Sequence, residues 1–231
     1  MSRSRLAVRV LPLAFLVSLA LAACGVVIYD TSSRVLILEP VKRIVFDSDS
    51  GKVEVYAFNR TAINLLYNLT GFETGIADVG HELDGDVLRA IIACEGDDLC
   101  NANFYAEVPF GTAIEIRAAS GDVKLTGVDA EVTAVVTAGA VDGVGLTTPS
   151  FNLKVETGAV TLAWVSPPTT LEVTVAAGDV SLTLPTGTYR CDLAAADGAI
   201  DSQGITCDPA ATASLKISVD SGDIHLQGTA P

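Results

Sequence analysis

The chain has 231 residues, 14 lysines and arginines against 28 aspartates and glutamates, and a formal net charge of −14. That balance argues against nucleic acid as a partner and against electrostatic docking on anionic lipid. The 49% hydrophobic content comes mostly from Val, Ala and Leu, as alternating strands plus a leader require, and does not describe a multispan membrane protein.

Residues 1–23 read as a lipoprotein signal peptide. Arg3, Arg5 and Arg9 open it, and an apolar run follows that ends in Leu21-Ala22-Ala23-Cys24. A basic start, a short apolar stretch and small residues before the cut describe a secretory signal. The last four residues resemble a bacterial lipobox, which makes Cys24 the expected lipidated first residue of the mature chain. Gly25 follows it, not aspartate, which resembles signals sent to the outer membrane. The expected location is therefore exported and lipid-anchored to the cell envelope, at the outer membrane, with either a periplasmic or a surface face. Without the three leader arginines the net charge falls from −14 to −17.

Residues 24–40 read as a tether that turns into a first strand at Val35–Leu38. From residue 41 to 228 a single β-solenoid is expected, less regular over 41–110 and with regular coils over 111–228. Val41–Phe46 and Lys52–Phe58 flank a polar turn that ends in Gly51. Ile63, Leu65, Tyr67 and Leu69 alternate with Asn64 and Asn68, the pattern of a half-buried strand. Residues 73–86 are polar and read as a loop or hairpin. Val87–Cys94 is apolar enough for a buried strand, and an acidic loop holding Glu95, Asp97 and Asp98 follows between Cys94 and Cys100. Phe104–Val108 then leads through Pro109-Phe110-Gly111 into the regular part.

There a short core recurs: SGDV, AGAV, TGAV, AGDV, DGAI and SGDI. The pivot glycines are Gly121, Gly139, Gly158, Gly178, Gly198 and Gly222, at spacings of 18, 19, 20, 20 and 24 residues. A period near 20 in a strand-rich chain signals stacked repeats. In the best unit, Leu171, Val173 and Val175 alternate with Glu172 and Thr174. After Gly178, Val180, Leu182 and Leu184 alternate with Ser181 and Thr183. Alternation buries one face and wets the other, and a glycine joins the two strands. One unit cannot bury its apolar face alone, whereas stacked units can. The residues after the pivots are Asp122, Ala140, Ala159, Asp179, Ala199 and Asp223. Stacked in sequence order, they never place two aspartates in successive layers. Distortion is expected at Ala140–Leu146, where Gly143 and Gly145 interrupt a strand. No convincing helix appears anywhere in the mature chain.

The four remaining cysteines, in an exported chain, suggest disulfides. Three pairings are possible, and sequence proximity favours Cys94–Cys100 and Cys191–Cys207. Candidates for chemistry are few. His81 lies among Asp78, Glu82, Asp84 and Asp86, where a general base is conceivable in principle, but a solvated acidic loop is the simpler reading. His225 has no partner in sequence, and no serine sits in a nucleophile elbow. Glu95, Asp97 and Asp98 are weak calcium candidates, as are Asp47 and Asp49; none has the spacing of a known calcium loop. Trp164 alternates in phase with Val160 and Leu162 and belongs in the core. No cofactor or metal is expected.

The lipobox, the opening VKRIVFDSDSGKVEVY, the junction YAEVPFGTAIEIRAASGDVKLTG and the later AAGDVSLTLPTGTYRCDLAAADGAI together resemble the bacterial "putative adhesin" β-strand-repeat family of unknown function, over roughly Val41 to Gly228. The resemblance implies a parallel β-solenoid, or single-stranded β-helix, and brings no active site. The expected role is a lipid-anchored envelope module for binding or structure, without catalysis. Its contacts would be the membrane through the lipid alone and an envelope glycan or protein. The alternatives are an enzyme acting on an envelope polysaccharide and an envelope-stress or assembly accessory protein.

Overall fold

The computed structural model describes residues 28–72, 76–95 and 101–230. Among these residues twenty strands follow in chain order. Those of the first part are β1 (Ile28–Ile37), β2 (Arg43–Ser48), β3 (Val53–Phe58), β4 (Ile63–Phe72), β5 (Ile76–Asp84), β6 (Val87–Glu95) and β7 (Asn101–Pro109). The repeats supply β8 (Ala113–Ser120), β9 (Val123–Thr126), β10 (Val132–Ala138), β11 (Val141–Leu146), β12 (Ser150–Thr157), β13 (Val160–Trp164), β14 (Thr170–Ala177) and β15 (Val180–Pro185). The last part contains β16 (Gly187–Asp197), β17 (Ile200–Gln203), β18 (Ile205–Cys207), β19 (Ser214–Ser221) and β20 (Ile224–Thr229). None of the described residues is helical.

The strands form two ten-stranded sheets. One runs β1-β4-β7-β3-β9-β11-β13-β15-β20-β17, and the other β18-β16-β19-β14-β12-β10-β8-β2-β6-β5. We call these the first and second sheet. A layer is one strand from each, joined at a turn: β8 and β9 at Gly121, β10 and β11 at Gly139, and so on. Strands of neighbouring layers pair in parallel and in register, for example Val132 with Phe151 and Val136 with Val155. The chain is thus all-β, with parallel-rich sheets wound like a solenoid. Its interior is one apolar cluster running the length of the stack, fed by inward positions such as Leu171, Val173, Val175, Val180, Leu182 and Leu184. Burying each such side chain is worth about 1.5–3 kcal/mol. Trp164 sits there, 2% exposed and edge-on to Phe151 at 5.4 Å. Its indole N–H has no partner among the described residues.

The pivot glycines form a column. All but Gly198, which lies in the end layer, donate their amides to the next layer, as Gly158 does to Ala177 O at 2.9 Å and Gly178 to Ser221 O at 2.9 Å. At Gly178 φ is +144°, and an added Cβ would stand 2.1 Å from Gly158 O. Glycine is required there by backbone conformation and by the closeness of the layer beneath. Gly198 lies outside the positive-φ set, but a Cβ on it would stand 2.0 Å from Gly222 O, so room alone decides there. Gly51 opens the column beside Gly121, at φ +100°. The distortion expected near Gly143 and Gly145 is a register shift between Gly143 and Leu146 in the β11–β13 pair. A Cβ on Gly143 would press on Leu162 and Leu146 at 2.7 and 2.9 Å, so this glycine makes room for core leucines.

Three expectations need correction. First, the layers do not stack in chain order at either end. The β2/β3 layer lies between β6/β7 and β8/β9, and β19/β20 is inserted between β14/β15 and β16/β17. Second, this order puts Asp179 and Asp223 in successive layers, contrary to the like-charge argument. Asp179 Oδ1 accepts the Asp223 amide at 2.9 Å, and Asp223 Oδ1 accepts the Ala199 amide at 2.7 Å. Asp122 Oδ1 does the same for Ala140 at 3.0 Å. Each carboxylate is spent on an amide of the next layer, and a charge-assisted bond of this kind outweighs a screened repulsion at the surface. Third, the parallel stack ends in antiparallel strands. Residues 28–37, expected within the 24–40 tether, form β1, antiparallel to β4, which is antiparallel to β7. In the second sheet β5 pairs antiparallel to β6, so the expected loop or hairpin at 73–86 is, from residue 76, the first arm of a hairpin turning at Gly85.

Candidate functional site

The first sheet carries the most organised outward side chains of the described residues. In β3, Val53, Val55 and Ala57 point into the core, so Glu54, Tyr56 and Phe58 face outward. In β7, Phe104, Ala106 and Val108 point inward, leaving Tyr105 and Glu107 outside. The parallel register sets Tyr105 opposite Glu54 and Glu107 opposite Tyr56. Two tyrosines and two glutamates therefore alternate on a square. The Tyr56 hydroxyl donates to Glu54 at 3.1 Å and the Tyr105 hydroxyl to Glu107 at 3.3 Å. Each hydroxyl reaches along its own strand, in opposite directions, and the two rings come to rest 4.9 Å apart, tilted by 33°. The Phe58 ring lies 6.4 Å from Tyr56 and nearly parallel to it.

Cations complete the cluster. Lys124, on the neighbouring β9, places its ammonium 5.9 Å from the centre of Tyr56, and the Arg60 guanidinium stands 5.4 Å from the centre of Phe58. Arg60 also pairs with Glu107, and Asn64 on β4 donates to Glu107 at 3.0 Å. The Asn64 amide holds the Glu107 carboxyl below its ordinary range; partial burial opposes this, and Arg60 adds to the lowering. Burial pushes the Tyr105 phenol above its usual value, and the Glu107 charge pushes it further. Lys52 stands 3.7 Å from Glu54, and the result is a half-buried aromatic patch whose donors and acceptors are held in place by one another.

From this patch a row of outward side chains follows the ladder across the whole sheet. Arg34 pairs with Leu66, Leu66 with Tyr105, Tyr105 with Glu54, and Glu54 with Lys124. The row continues through Asp142, Thr161, Ser181 and His225 to Asp201 on β17. Each step is one strand spacing, about 4.8 Å.

The second sheet offers a groove of about 230 Å³ lined by Asp47, Asp49, Arg117, Ala119, Val135 and Thr137. Its carboxylates are already engaged. Asp47 faces the Arg117 guanidinium at 3.9 Å, and Asp49 accepts the Cys94 amide at 3.0 Å. A cation there would have to displace protein partners.

The residues singled out from sequence are scattered. Cys24, Asp97, Asp98 and Cys100 lie outside the described residues; Glu95 ends β6. Among the described residues no three His, Cys, Asp or Glu side chains are grouped to hold a metal ion. His81 is exposed on β5, opposite Ala90, and His225 is exposed on β20, some layers away from it. Cys191 and Cys207 are joined by a disulfide that clasps β18 to β16 at the end of the stack. Cys94 is disulfide-bonded. The Tyr56–Tyr105 cluster was not anticipated. Its trace in the sequence is the alternation Glu-x-Tyr-x-Phe in β3 and Tyr-x-Glu in β7, two outward registers that only strand pairing brings side by side.

Comparison with known proteins agrees with this architecture. A solved structure from Clostridium sporogenes, described as a "putative cell adhesion protein", superposes with a TM-score of 0.50 at 10% identity, over 86% of this chain and 100% of that one. A "putative adhesin" from Bacteroides fragilis covers 86% of this chain and 97% of its own at 12% identity, with a TM-score of 0.45. No curated protein matches the sequence. The model of one family matches residues 41–230, the whole stack from β2 to β20, and the chain belongs to that family, Toastrack DUF4097.

Proposed function

We propose that this protein is a lipid-anchored module of the bacterial cell envelope that binds a partner on the outer face of its stack and catalyses no reaction. The observation that carries this reading is the tyrosine–carboxylate–guanidinium patch on the first sheet, with aromatic and polar groups fixed by mutual hydrogen bonds on its outer face. Preorganised groups of this kind lose little entropy when a partner arrives. The solved structure described as a "putative cell adhesion protein" supports the same reading.

The sequence Leu21-Ala22-Ala23-Cys24 supports the anchor. β1 begins at Ile28, on the outermost strand of the first sheet, so a lipid on Cys24 would hold the stack by that end. The disulfide-clasped β16–β18 end would then project away, nine strand spacings or roughly 43 Å across the sheet. Two measurements test the reading. Cys24→Ser should move the chain from the membrane fraction to the soluble fraction; unchanged membrane association refutes the anchor. The intact lipidated chain in detergent should bind saturably, at micromolar concentrations, to one member of a set of purified envelope glycans and proteins. Failure with every member overturns the binding role.

A further inference from the structure

We infer that the outer face of the first sheet is the track for a linear, uncharged polysaccharide, gripped at Tyr56 and Tyr105 and lying along the stack axis across the strands. This rests on the binding-module reading and names the class of its ligand.

Repeat and shape argue first. The row Tyr105–Glu54–Lys124–Asp142–Thr161–Ser181 presents one outward side chain per strand, about 4.8 Å apart. That pitch is close to the length of one sugar unit in an extended β-linked chain. A polymer running along the row therefore meets a fresh hydrogen-bonding side chain at nearly every residue. Such a match exists across the strands and not along them, where outward side chains recur every second residue.

The patch chemistry argues next. A sugar ring has an apolar C–H face and a rim of hydroxyls. Tyrosine is matched to this, offering aromatic area with only two side-chain torsions to freeze. Around the rings stand acceptors in Glu54 and Glu107 and donors in Asn64 and Lys124, the set that hydroxyls need. Most are already oriented by protein hydrogen bonds, so they do not have to be ordered by the ligand.

Charge and topology exclude the competitors. In the patch, Glu54 pairs with Lys52 at 3.7 Å and Glu107 with Arg60, on a chain of net charge −14. A polyanion would be repelled by the rest of the molecule, and a polycation would find the patch carboxylates already partnered. An extended peptide cannot add as a strand here, because β3 and β7 have neighbours on both sides within the sheet.

The full-length lipidated chain, in detergent, is run by affinity electrophoresis through gels containing a neutral linear panel: mixed-linkage β-glucan, xyloglucan and galactomannan. Parallel arms contain polygalacturonate as the anionic polymer, and a solubilised envelope-protein extract read by crosslinking. Retardation by at least one neutral polymer is expected. Tyr105→Ala and Tyr56→Ala should each weaken it at least tenfold. Tyr105→Phe, which keeps the ring and the fold, should retain most of it. Thr161→Ala should weaken it a few-fold, and Thr133→Ala on the second sheet should leave it unchanged. The thermal midpoint of each variant shows that it is folded. Retardation that survives both alanine variants at full strength overturns the inference, as does a preference for polygalacturonate. If the neutral panel fails while the anionic polymer or a protein binds, the inference falls and the binding-module reading stands. If every arm fails, both fall.

Discussion

The middle of the stack and its far end are built from the same repeat, yet they obey different rules. From β8 to β15 each layer settles on the one before it, and ladder partners are about one repeat apart in sequence, as Val132 and Phe151 are. At the far end the order inverts, so that Thr170 pairs with Ser214, 44 residues on, and β16/β17 is pushed outermost. The inward side chains explain the exchange. β19/β20 offers Leu215, Ile217, Val219, Ile224 and Leu226, all buried, which need a layer on either side. β16/β17 offers one buried side chain, Tyr189, then Cys191, Leu193 and Ala195, only half-buried, and an exposed β17 with Ser202 and Ile200. Each apolar side chain moved from an outer to an inner layer gains a share of the roughly 1.5–3 kcal/mol that full burial brings. The greasier layer goes inside, and the poorer one becomes the cap, held by Cys191–Cys207. End layers in repeat arrays are atypical for this reason.

The largest effect should come from removing the inserted layer. Deleting 214–230 leaves 187–203 without its only neighbouring layer, and hydrogen exchange should show protection lost across 187–203 while 113–163 stays protected. Protection persisting at 187–203 would mean that β16/β17 can stack directly on β14/β15. Next, Val173→Asp buries an unpaired charge in a layer enclosed on both sides and should destabilise by more than about 4 kcal/mol in chemical denaturation. Thr174→Asp, one residue along and facing out, should change stability by less than about 0.5 kcal/mol. Equal effects would invert the assignment of faces.

The glycine column sharpens the comparison. Gly178→Ala places a Cβ against Gly158 O in an enclosed layer at positive φ and should cost about 2–4 kcal/mol. Gly198→Ala meets as close a carbonyl, but its layer can slide outward and its φ is ordinary, so roughly half that loss is expected. Similar losses would show the cap to be as rigid as the middle. Cys191→Ser opens the clasp, whose cysteines are 16 residues apart, and should cost about 3 kcal/mol. Exchange should rise at β16 and β18 and hardly change at β12.

The smallest effect belongs to the near end. The folded Glu107 carboxyl titrates below its ordinary value of 4.5, so its contribution to stability is complete above that pH and is lost as pH falls through the lowered value. Glu107→Gln should flatten the stability profile below pH 4.5 and lower its plateau at about pH 7, where the carboxylate contribution is complete, so that the two proteins converge in acid. A profile unchanged by the substitution would show that Asn64 and Arg60 do not tune this carboxylate.

The strands were legible because alternation records which face is buried, and Leu171–Val175 or Val180–Leu184 states this without reference to the rest of the chain. The turns were legible because a column of close backbones admits only glycine. The fate of the aspartates was not. Whether Asp179 meets another aspartate depends on which layer lies next, and that is settled by competition between layers for the interior. The patch on the first sheet was hidden for a similar reason. Tyr56 and Tyr105 are 49 positions apart, and nothing in either strand says that the other will be its neighbour.

The sequence alone determined the repeat, the inward and outward faces and the glycine turns, since each depends on spacing within one or two units, and its spacing favoured the pairing of Cys191 with Cys207. Only the tertiary structure decided the order of the layers, the antiparallel strands β1, β4 and β5 at one end, and the meeting of the two tyrosines. Those depend on comparing the burial of whole layers far apart in the chain, a sum that no local pattern contains.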